Sequence, residues 1–93
     1  MKLEDVRNRR EEIERLARIH GAYNVRIFGS VARGDDGPES DVDVLVRFEK
    51  GRSLLDLVGI HQDLEELLGC EVDVVSEGAL KSDSEILQEA IAL

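Results

Sequence analysis

The sequence predicts an α/β domain in which helices flank a small mixed β-sheet of about three to four strands. Three stretches rich in β-branched residues alternate with stretches in which apolar residues recur at helical spacing. This order of helices and strands is typical of a sheet with helices packed against it. A chain of 93 residues has the length of one small domain, so we expect residues 1–93 to fold as a unit.

Local patterns define each element. Gly21 and Gly69 follow helical patterns and so predict helix ends. Ser30, Ser53 and Ser82 each precede a helical pattern and so predict N-caps. In chain order, the predicted elements are a helix over 3–20, a strand over 23–28, a short helix over 30–33, a strand over 41–48, a helix over 54–68, a strand over 71–76 and a helix over 83–93.

The predicted helix over 54–68 contains a glycine near its centre. Gly59 costs about 1 kcal/mol relative to alanine in a helix interior, which indicates that another element packs closely there. Asp56 lies three residues after Ser53, as in a capping box. His61 lies beside the apolar stripe of this helix, and we interpret it as a structural residue rather than as a ligand or acid–base group.

The charge of the chain is strongly acidic and unevenly distributed. The net charge is −9; residues 1–33 carry eight Lys or Arg and five Asp or Glu, whereas residues 34–93 carry four and sixteen. Phosphate repulsion opposes direct binding of nucleic acid to such a chain. A metal-bound anion or a basic protein is a more suitable partner, because opposite charges then meet.

Three further observations exclude other classes of protein. No apolar run approaches the ~20 residues of a membrane span, and the start of the chain is too charged for a signal peptide. We therefore expect a cytoplasmic protein that does not enter a membrane. The single cysteine, Cys70, excludes an intramolecular disulfide and a cysteine-based zinc site, and we interpret it as a small buried apolar residue.

The residues that carry chemistry lie in two adjacent stretches. Gly29 and Ser30 follow a predicted strand and begin a short helix, a geometry that can present backbone N–H groups to a phosphate. Asp41 and Asp43 lie two positions apart on a strand, so their side chains share a face and could bind one or two divalent ions. Taken alone, the first pattern is more often a plain turn and the second a solvated pair of aspartates.

A third carboxylate strengthens this interpretation. The long helix between the strands over 41–48 and 71–76 is a crossover, so we expect these strands to be parallel neighbours or separated by one strand. The strand over 23–28 is expected to pair antiparallel with the strand over 41–48. Asp73 then shares a face with the Asp pair and lies close to it. Three clustered carboxylates repel one another, and two Mg²⁺ ions would relieve that repulsion.

Together these motifs resemble a known family. The sequence contains Gly29-Ser30-x-x-Arg33-Gly34-Asp35, then Ser40-Asp41-x-Asp43, then Asp73 on a later strand. This combination looks like the signature of the polymerase-β-like nucleotidyltransferase superfamily, and the short length resembles its minimal nucleotidyltransferase (MNT) branch. The resemblance runs over about residues 22–80 and implies the polymerase-β-like nucleotidyltransferase fold.

The resemblance implies a role for each matching residue. The glycine-serine turn would hold the phosphates of ATP, and the carboxylates would bind two Mg²⁺ ions. Asp73 would help to bind the catalytic metal and would activate the acceptor hydroxyl, while Arg33 would either contact phosphate or fix the loop. The implied set is Gly29, Ser30 and Arg33 for the nucleotide, and Asp41, Asp43 and Asp73 as catalytic and metal-binding residues.

The resemblance also implies a reaction and a partner. The family transfers a nucleoside monophosphate from a nucleoside triphosphate, by default ATP, and releases pyrophosphate. Its minimal members commonly act as antitoxins that neutralise a basic, helical HEPN-type toxin by transferring AMP to it. This chain differs from many of them in that residues 82–85 are acidic, where an arginine-bearing helix would be expected.

Two other functions stay open on the sequence alone. The chain could be a binding module that neutralises its partner by stoichiometric contact, with a vestigial nucleotide site. It could also be an acidic α/β domain without a nucleotide site. Either a homo-oligomer or a hetero-oligomer is compatible with the sequence.

Overall fold

The computed structural model describes residues 1–35 and 41–93, which form a four-stranded mixed sheet with helices packed against it. None of the helices in these two ranges is long and apolar enough to cross a membrane. The elements in chain order are α1 (Leu3–Arg7), α2 (Arg10–Ile19), β1 (Ala22–Phe28), α3 (Gly29–Arg33), β2 (Val42–Phe48), α4 (Leu54–Leu68), β3 (Val72–Ser76), a 3₁₀ turn (Glu77–Ala79), α5 (Glu85–Glu89) and β4 (Ile91–Ala92).

The strands lie in the order β3-β2-β1-β4. β1 and β2 pair antiparallel, and β2 and β3 pair parallel through the crossover helix α4. The antiparallel pairing of β1 with β2 is the expected one, and of the two arrangements left open for β2 and β3 the structure has parallel neighbours. β4 adds a short antiparallel pairing on the other side of β1.

The sheet has one fully packed face. Val42, Val44 and Val46 are buried on β2 and join Ile13 of α2 and Ile60 of α4 in one apolar cluster. Because side chains alternate along a strand, the residues between these valines point to the opposite face. That opposite face carries the carboxylates, together with buried apolar residues that lie outside the cluster, Phe28 and Leu45.

The predicted helix over 3–20 is wrong in one respect, because the structure divides it into α1 and α2 at Asn8 and Arg9. Val6 is buried in α1, and the next buried residue along the chain is Ile13. No buried apolar side chain between them holds the intervening turn against the sheet. Asn8 also favours helix ends over helix interiors, so the helix breaks there.

The predicted helix over 83–93 is also wrong. α5 covers only Glu85–Glu89, and its N-cap is Ser84, whose hydroxyl accepts a hydrogen bond from the Ile86 N–H at 3.3 Å. At Ala90 the backbone becomes extended, and Ile91 then pairs with Ile27 of β1. Without this segment, the edge of β1 would leave backbone N–H and C=O groups unpaired. The pairing satisfies some of them, and the helical pattern in the sequence gives no sign of it.

The prediction of close packing at Gly59 is confirmed. A β-carbon at this position would lie 2.5 Å from the ring atom Cε1 of His20. The same ring contacts Asp63 of α4, with Nε2 and Oδ2 2.7 Å apart. The absence of a side chain at Gly59 therefore allows the end of α2 to lie against α4. The predicted capping box of Ser53 and Asp56 is also present.

Candidate active site

The two strands that carry carboxylates bring Asp43 and Asp73 side by side. β2 and β3 pair in parallel with Asp43 directly opposite Asp73, and Phe28 of β1 lies opposite Asp43 on its other side. Paired positions on neighbouring strands put the β-carbons about 5 Å apart on the same face of the sheet. Asp41 lies just before β2 and is exposed. The alternation in the sequence predicts this convergence on one face.

We call Asp41, Asp43 and Asp73 the carboxylate row. Their charges affect the pKa of Asp43. Burial raises the pKa of its carboxyl, and the negative charges of Asp73, Asp41 and Glu89 raise it further. The guanidinium of Arg33 acts in the opposite direction. A carboxyl that is surrounded by like charges is stabilised in its ionised form by a cation. The site therefore has the electrostatic character of a cation-binding site.

Gly29 packs directly against this row. Its φ of 75° lies in the left-handed region that favours glycine, and a β-carbon there would collide with the Asp43 carboxylate. The turn after β1 therefore needs glycine on two counts. Because of this contact, the glycine-serine turn and the carboxylate row form one continuous site.

Ser30 lies in α3 but does not cap it. The helix begins at Gly29 with Phe28 as its N-cap residue, and no side-chain cap hydrogen bond forms. The predicted N-cap at Ser30 is therefore wrong, because the left-handed glycine lets the helix start one residue earlier. The first N–H groups of a helix have no acceptors within the helix, which leaves them available to another group.

Arg33 connects α3 to the C-terminal segment. Its Nη1 contacts Oε1 of Glu89 in α5, and its Nε lies 3.2 Å from Oδ2 of Asp35. These two carboxylates raise the pKa of Arg33. The sequence left open whether Arg33 contacts phosphate or fixes the loop; in this structure it contacts the loop and α5. Ser40 of the motif lies in the range 36–40, which is outside the described residues.

A model of the nucleotidyltransferase domain matches residues 7–93. The chain belongs to the nucleotidyltransferase domain family. A Methanocaldococcus jannaschii protein named as a candidate protein adenylyltransferase is 46% identical over 74 residues, which cover 77% of this nucleotidyltransferase and 80% of the relative. The protein adenylyltransferase MntA of Thermococcus cleftensis is 41% identical over 80 residues, covering 77% and 81% of the two chains.

Solved structures show the same architecture. A structure described as a candidate minimal nucleotidyltransferase superposes with a TM-score of 0.87 at 50% identity and covers 100% of this chain and 97% of that one. A toxin–antitoxin complex with AMP-PNP matches with a TM-score of 0.75 at 20% identity over 88% and 69% of the chains. A Shewanella oneidensis complex of a tri-AMPylated HEPN toxin with an MNT antitoxin matches at 17% identity with a TM-score of 0.69 over 92% and 69%. At these two lower identities the similarity shows the fold.

The carboxylates of this nucleotidyltransferase do not form a closed metal cage. Within residues 1–35 and 41–93, no group of three His, Cys, Asp or Glu side chains is arranged to hold a metal ion. Mg²⁺ is commonly bound by one or two carboxylates together with substrate phosphates, and not by an all-protein cage. Adjacent carboxylates beside the first N–H groups of α3, which have no acceptor within the helix, therefore fit Mg²⁺ that arrives with a nucleotide.

A second group of charges on the same face was not predicted from the sequence. Glu77 accepts a hydrogen bond from Nη1 of Arg26 at 2.6 Å and lies 3.1 Å from Nε of Arg47. These contacts hold the 3₁₀ turn against the sheet beyond the carboxylate row. Arg26 Nη2 is buried without a hydrogen-bond partner among the described residues. Arg26 and Glu77 are 51 positions apart, so no local pattern indicates the pair.

A cavity of about 420 Å³ lies elsewhere, between α2 and the start of β1. Its lining includes Arg10 and Arg18 of α2 and Tyr23 of β1, but neither Asp43 nor Asp73. The carboxylate row itself lies on an open surface next to α5 and α3. The position of the cavity therefore does not identify the candidate active site, which rests on the carboxylates and the glycine turn.

Proposed function

We propose that this nucleotidyltransferase transfers AMP from ATP to a hydroxyl group of a partner protein in a Mg²⁺-dependent reaction. The partner would be a HEPN-type toxin, and the chain would act as its antitoxin. The observation that carries the proposal is the pairing of Asp43 with Asp73 beside the left-handed turn at Gly29. Relatives named as protein adenylyltransferases support the reaction, and the structures of MNT antitoxins with HEPN toxins support the partner.

The glycine-serine turn would bind the phosphates. The N–H groups of the first turn of α3 and the hydroxyl of Ser30 are donors, and Gly29 lets this turn lie against Asp43. The guanidinium of Arg33 would reach the phosphates after exchanging its contact with Glu89. The complex with AMP-PNP supports ATP as the nucleotide.

The carboxylate row would hold Mg²⁺ and position the acceptor. Asp43 and Asp73 would be the principal ligands, with Asp41 beside them. The chemistry that bound Mg²⁺ supplies there is neutralisation of phosphate charge and orientation of the phosphates for in-line displacement. Without the cation, the like charges around Asp43 would repel a nucleotide.

Asp73 is the exposed member of the pair and would accept the proton of the attacking hydroxyl. The hydroxyl oxygen would bond to the α-phosphorus while the bond from that phosphorus to the bridging oxygen breaks. Pyrophosphate would then leave from the turn. The protein side of this reaction is positioning and electrostatic stabilisation, as in other phosphoryl and nucleotidyl transfers.

Mass spectrometry of the partner tests this function. A HEPN-type toxin, incubated with the chain, ATP and Mg²⁺, is expected to gain the mass of AMP. Asp43→Asn should reduce the rate of that gain by roughly 100-fold or more, since it removes a charge that acts on the transferred group. Asp83→Asn, an exposed substitution outside the row, is the control. Absence of any mass gain with the wild-type chain would refute the proposal.

Neutralisation by contact alone is the second candidate function. It is favoured by the contact of Arg33 with Glu89, which keeps a candidate phosphate ligand engaged within the chain. Under this function, the double variant Asp41→Asn/Asp43→Asn would still protect cells from the toxin. Loss of protection by a double variant that folds and still associates with the toxin would exclude it.

A further inference from the structure

Three apolar side chains at the start of α4 are exposed to solvent. Leu54 is 72% exposed, Leu55 80% and Val58 42%. Spacings of three and four residues put them on one side of the helix, which we call the α4 patch. The helix start is held by the capping box of Ser53 and Asp56, so the exposure belongs to an ordered helix.

The α4 patch does not belong to the interior of the domain. α4 packs on the sheet through a separate stripe in which Ile60, Leu64 and Leu68 are buried. A helix of a small domain normally exposes polar residues outside such a stripe. Exposed apolar clusters of this kind often mark surfaces that bind another protein.

The α4 patch lies far from the carboxylate row. α4 covers the packed face of the sheet, whereas Asp43 and Asp73 lie on the opposite face. The chain also runs the length of β2, about 20 Å from Val42 to Phe48, before it turns into α4. A protein bound at the α4 patch would therefore leave the carboxylate row accessible.

The charge of α4 favours a positively charged partner. The helix carries four acidic residues and no lysine or arginine, and Arg52, just before the helix, lies 3.5 Å from Asp56. A second copy of the chain would bring two such helices and two net charges of −9 together, which is unfavourable. A positively charged protein would be attracted instead, with the apolar side chains at the centre of the contact. The acidic residues are Asp56, Asp63, Glu65 and Glu66.

We propose that the α4 patch is the surface on which a cationic protein partner docks. The inference rests on the proposed function to the extent that this partner is the HEPN toxin. Holding the partner and transferring AMP would then depend on opposite faces of the sheet, so the acceptor hydroxyl would lie on a part of the partner that extends past the sheet to the carboxylate row. A stable complex would form whether or not the transfer takes place, and substitutions could separate the two properties.

Affinity measurements with matched variants test the docking surface. Leu55→Gln keeps a good helix former but removes the apolar side chain, and it should weaken binding of a HEPN-type toxin by ~30-fold. Tyr23→Gln is the control, since Tyr23 is also an exposed apolar residue, at 45%, but lies at the start of β1. The affinity of the Tyr23→Gln variant for the toxin should differ from that of the wild type by less than about threefold. Circular dichroism would verify that both variants fold.

Affinity, self-association and transfer rate together decide the inference. Equal affinities of the wild type and Leu55→Gln would overturn it. Sedimentation of the chain alone should show a monomer; a dimer that Leu55→Gln dissociates would overturn it in favour of a second copy as the occupant. At saturating partner, Leu55→Gln should retain the rate of AMP transfer. If no variant or wild type transfers AMP while binding follows the prediction, the proposed function fails and the docking surface stands.

Discussion

At the scale of single residues, the candidate active site depends on the contact between Gly29 and Asp43. The left-handed backbone at Gly29 and the absence of a β-carbon allow the turn to lie against the carboxylate. Asp43 in turn is placed among like charges that raise its pKa. The like charges around Asp43 disfavour its ionised form in a chain without a ligand, which is typical of functional sites. Two substitutions test the contact and this charge effect.

Gly29→Ala should destabilise the fold more than the same change at another left-handed glycine. Gly34 is the matched control, since its φ is 79° and a β-carbon there would meet no atom within 4 Å. We expect Gly34→Ala to cost about 1–2 kcal/mol for backbone strain. Gly29→Ala should cost roughly 1–3 kcal/mol more, because the Asp43 side chain must move. Urea unfolding measures both values, and equal costs would contradict the contact.

Asp43→Asn should stabilise the metal-free fold at neutral pH. Burial and neighbouring carboxylates raise the pKa of Asp43 in the folded state, so folding favours its protonated form. Stability from this group is present at low pH and is lost as pH rises from the usual aspartate value of about 4 through the raised pKa. Asp43→Asn should therefore be more stable than the wild type at pH 7, and this difference in stability should disappear near pH 3. Thermal unfolding of both proteins in the presence of a chelator measures this difference in stability. A difference that does not depend on pH would count against the raised pKa of Asp43 as its cause.

At the scale of elements, α5 holds the side chain of the residue that would contact phosphate. Arg33 in α3 contacts Glu89 in α5, and the two residues are 56 positions apart in the sequence. Both α5 and the pairing of β4 with β1 depend on where the chain returns after β3. The C-terminal segment therefore closes one side of the candidate active site.

Glu89→Gln should strengthen nucleotide binding modestly. The substitution removes the carboxylate that competes with phosphate for Arg33, and it also removes a negative charge near Asp43. Because Arg33 is half-exposed, we expect an increase in affinity of only about threefold for a non-hydrolysable ATP analogue with Mg²⁺. Glu85→Gln on the same helix is the control. Weaker binding by Glu89→Gln would instead assign Glu89 to the cation site.

At the scale of the whole molecule, the sequence is enough to predict the features that depend on local residue patterns and on the connections between elements. Alternation within β2 and β3 and the crossover through α4 are enough to predict Asp43 and Asp73 on one face. Gly59 predicts the close approach of another helix. Features that depend on distant contacts could not be predicted, among them the strand β4 and the contact of Arg33 with Glu89. In each of these, tertiary packing outweighs local preference.

The two faces of the sheet carry different candidate sites. One face of the sheet carries the carboxylate row and the glycine-serine turn, and α4 covers the other with its exposed apolar patch. Catalysis and partner binding would then be independently alterable. We expect the carboxylate row and the turn together to bind a nucleotide with Mg²⁺.

Calorimetric titration with a non-hydrolysable ATP analogue tests that claim most directly, because it requires no partner. With Mg²⁺, the wild-type chain and the control Asp83→Asn should bind the analogue at submillimolar concentration, an affinity of about −4 kcal/mol or tighter. Chelation of Mg²⁺ or the double variant Asp43→Asn/Asp73→Asn should abolish binding. Absence of binding by the wild type at millimolar analogue, or binding that neither chelation nor the double variant affects, would contradict it.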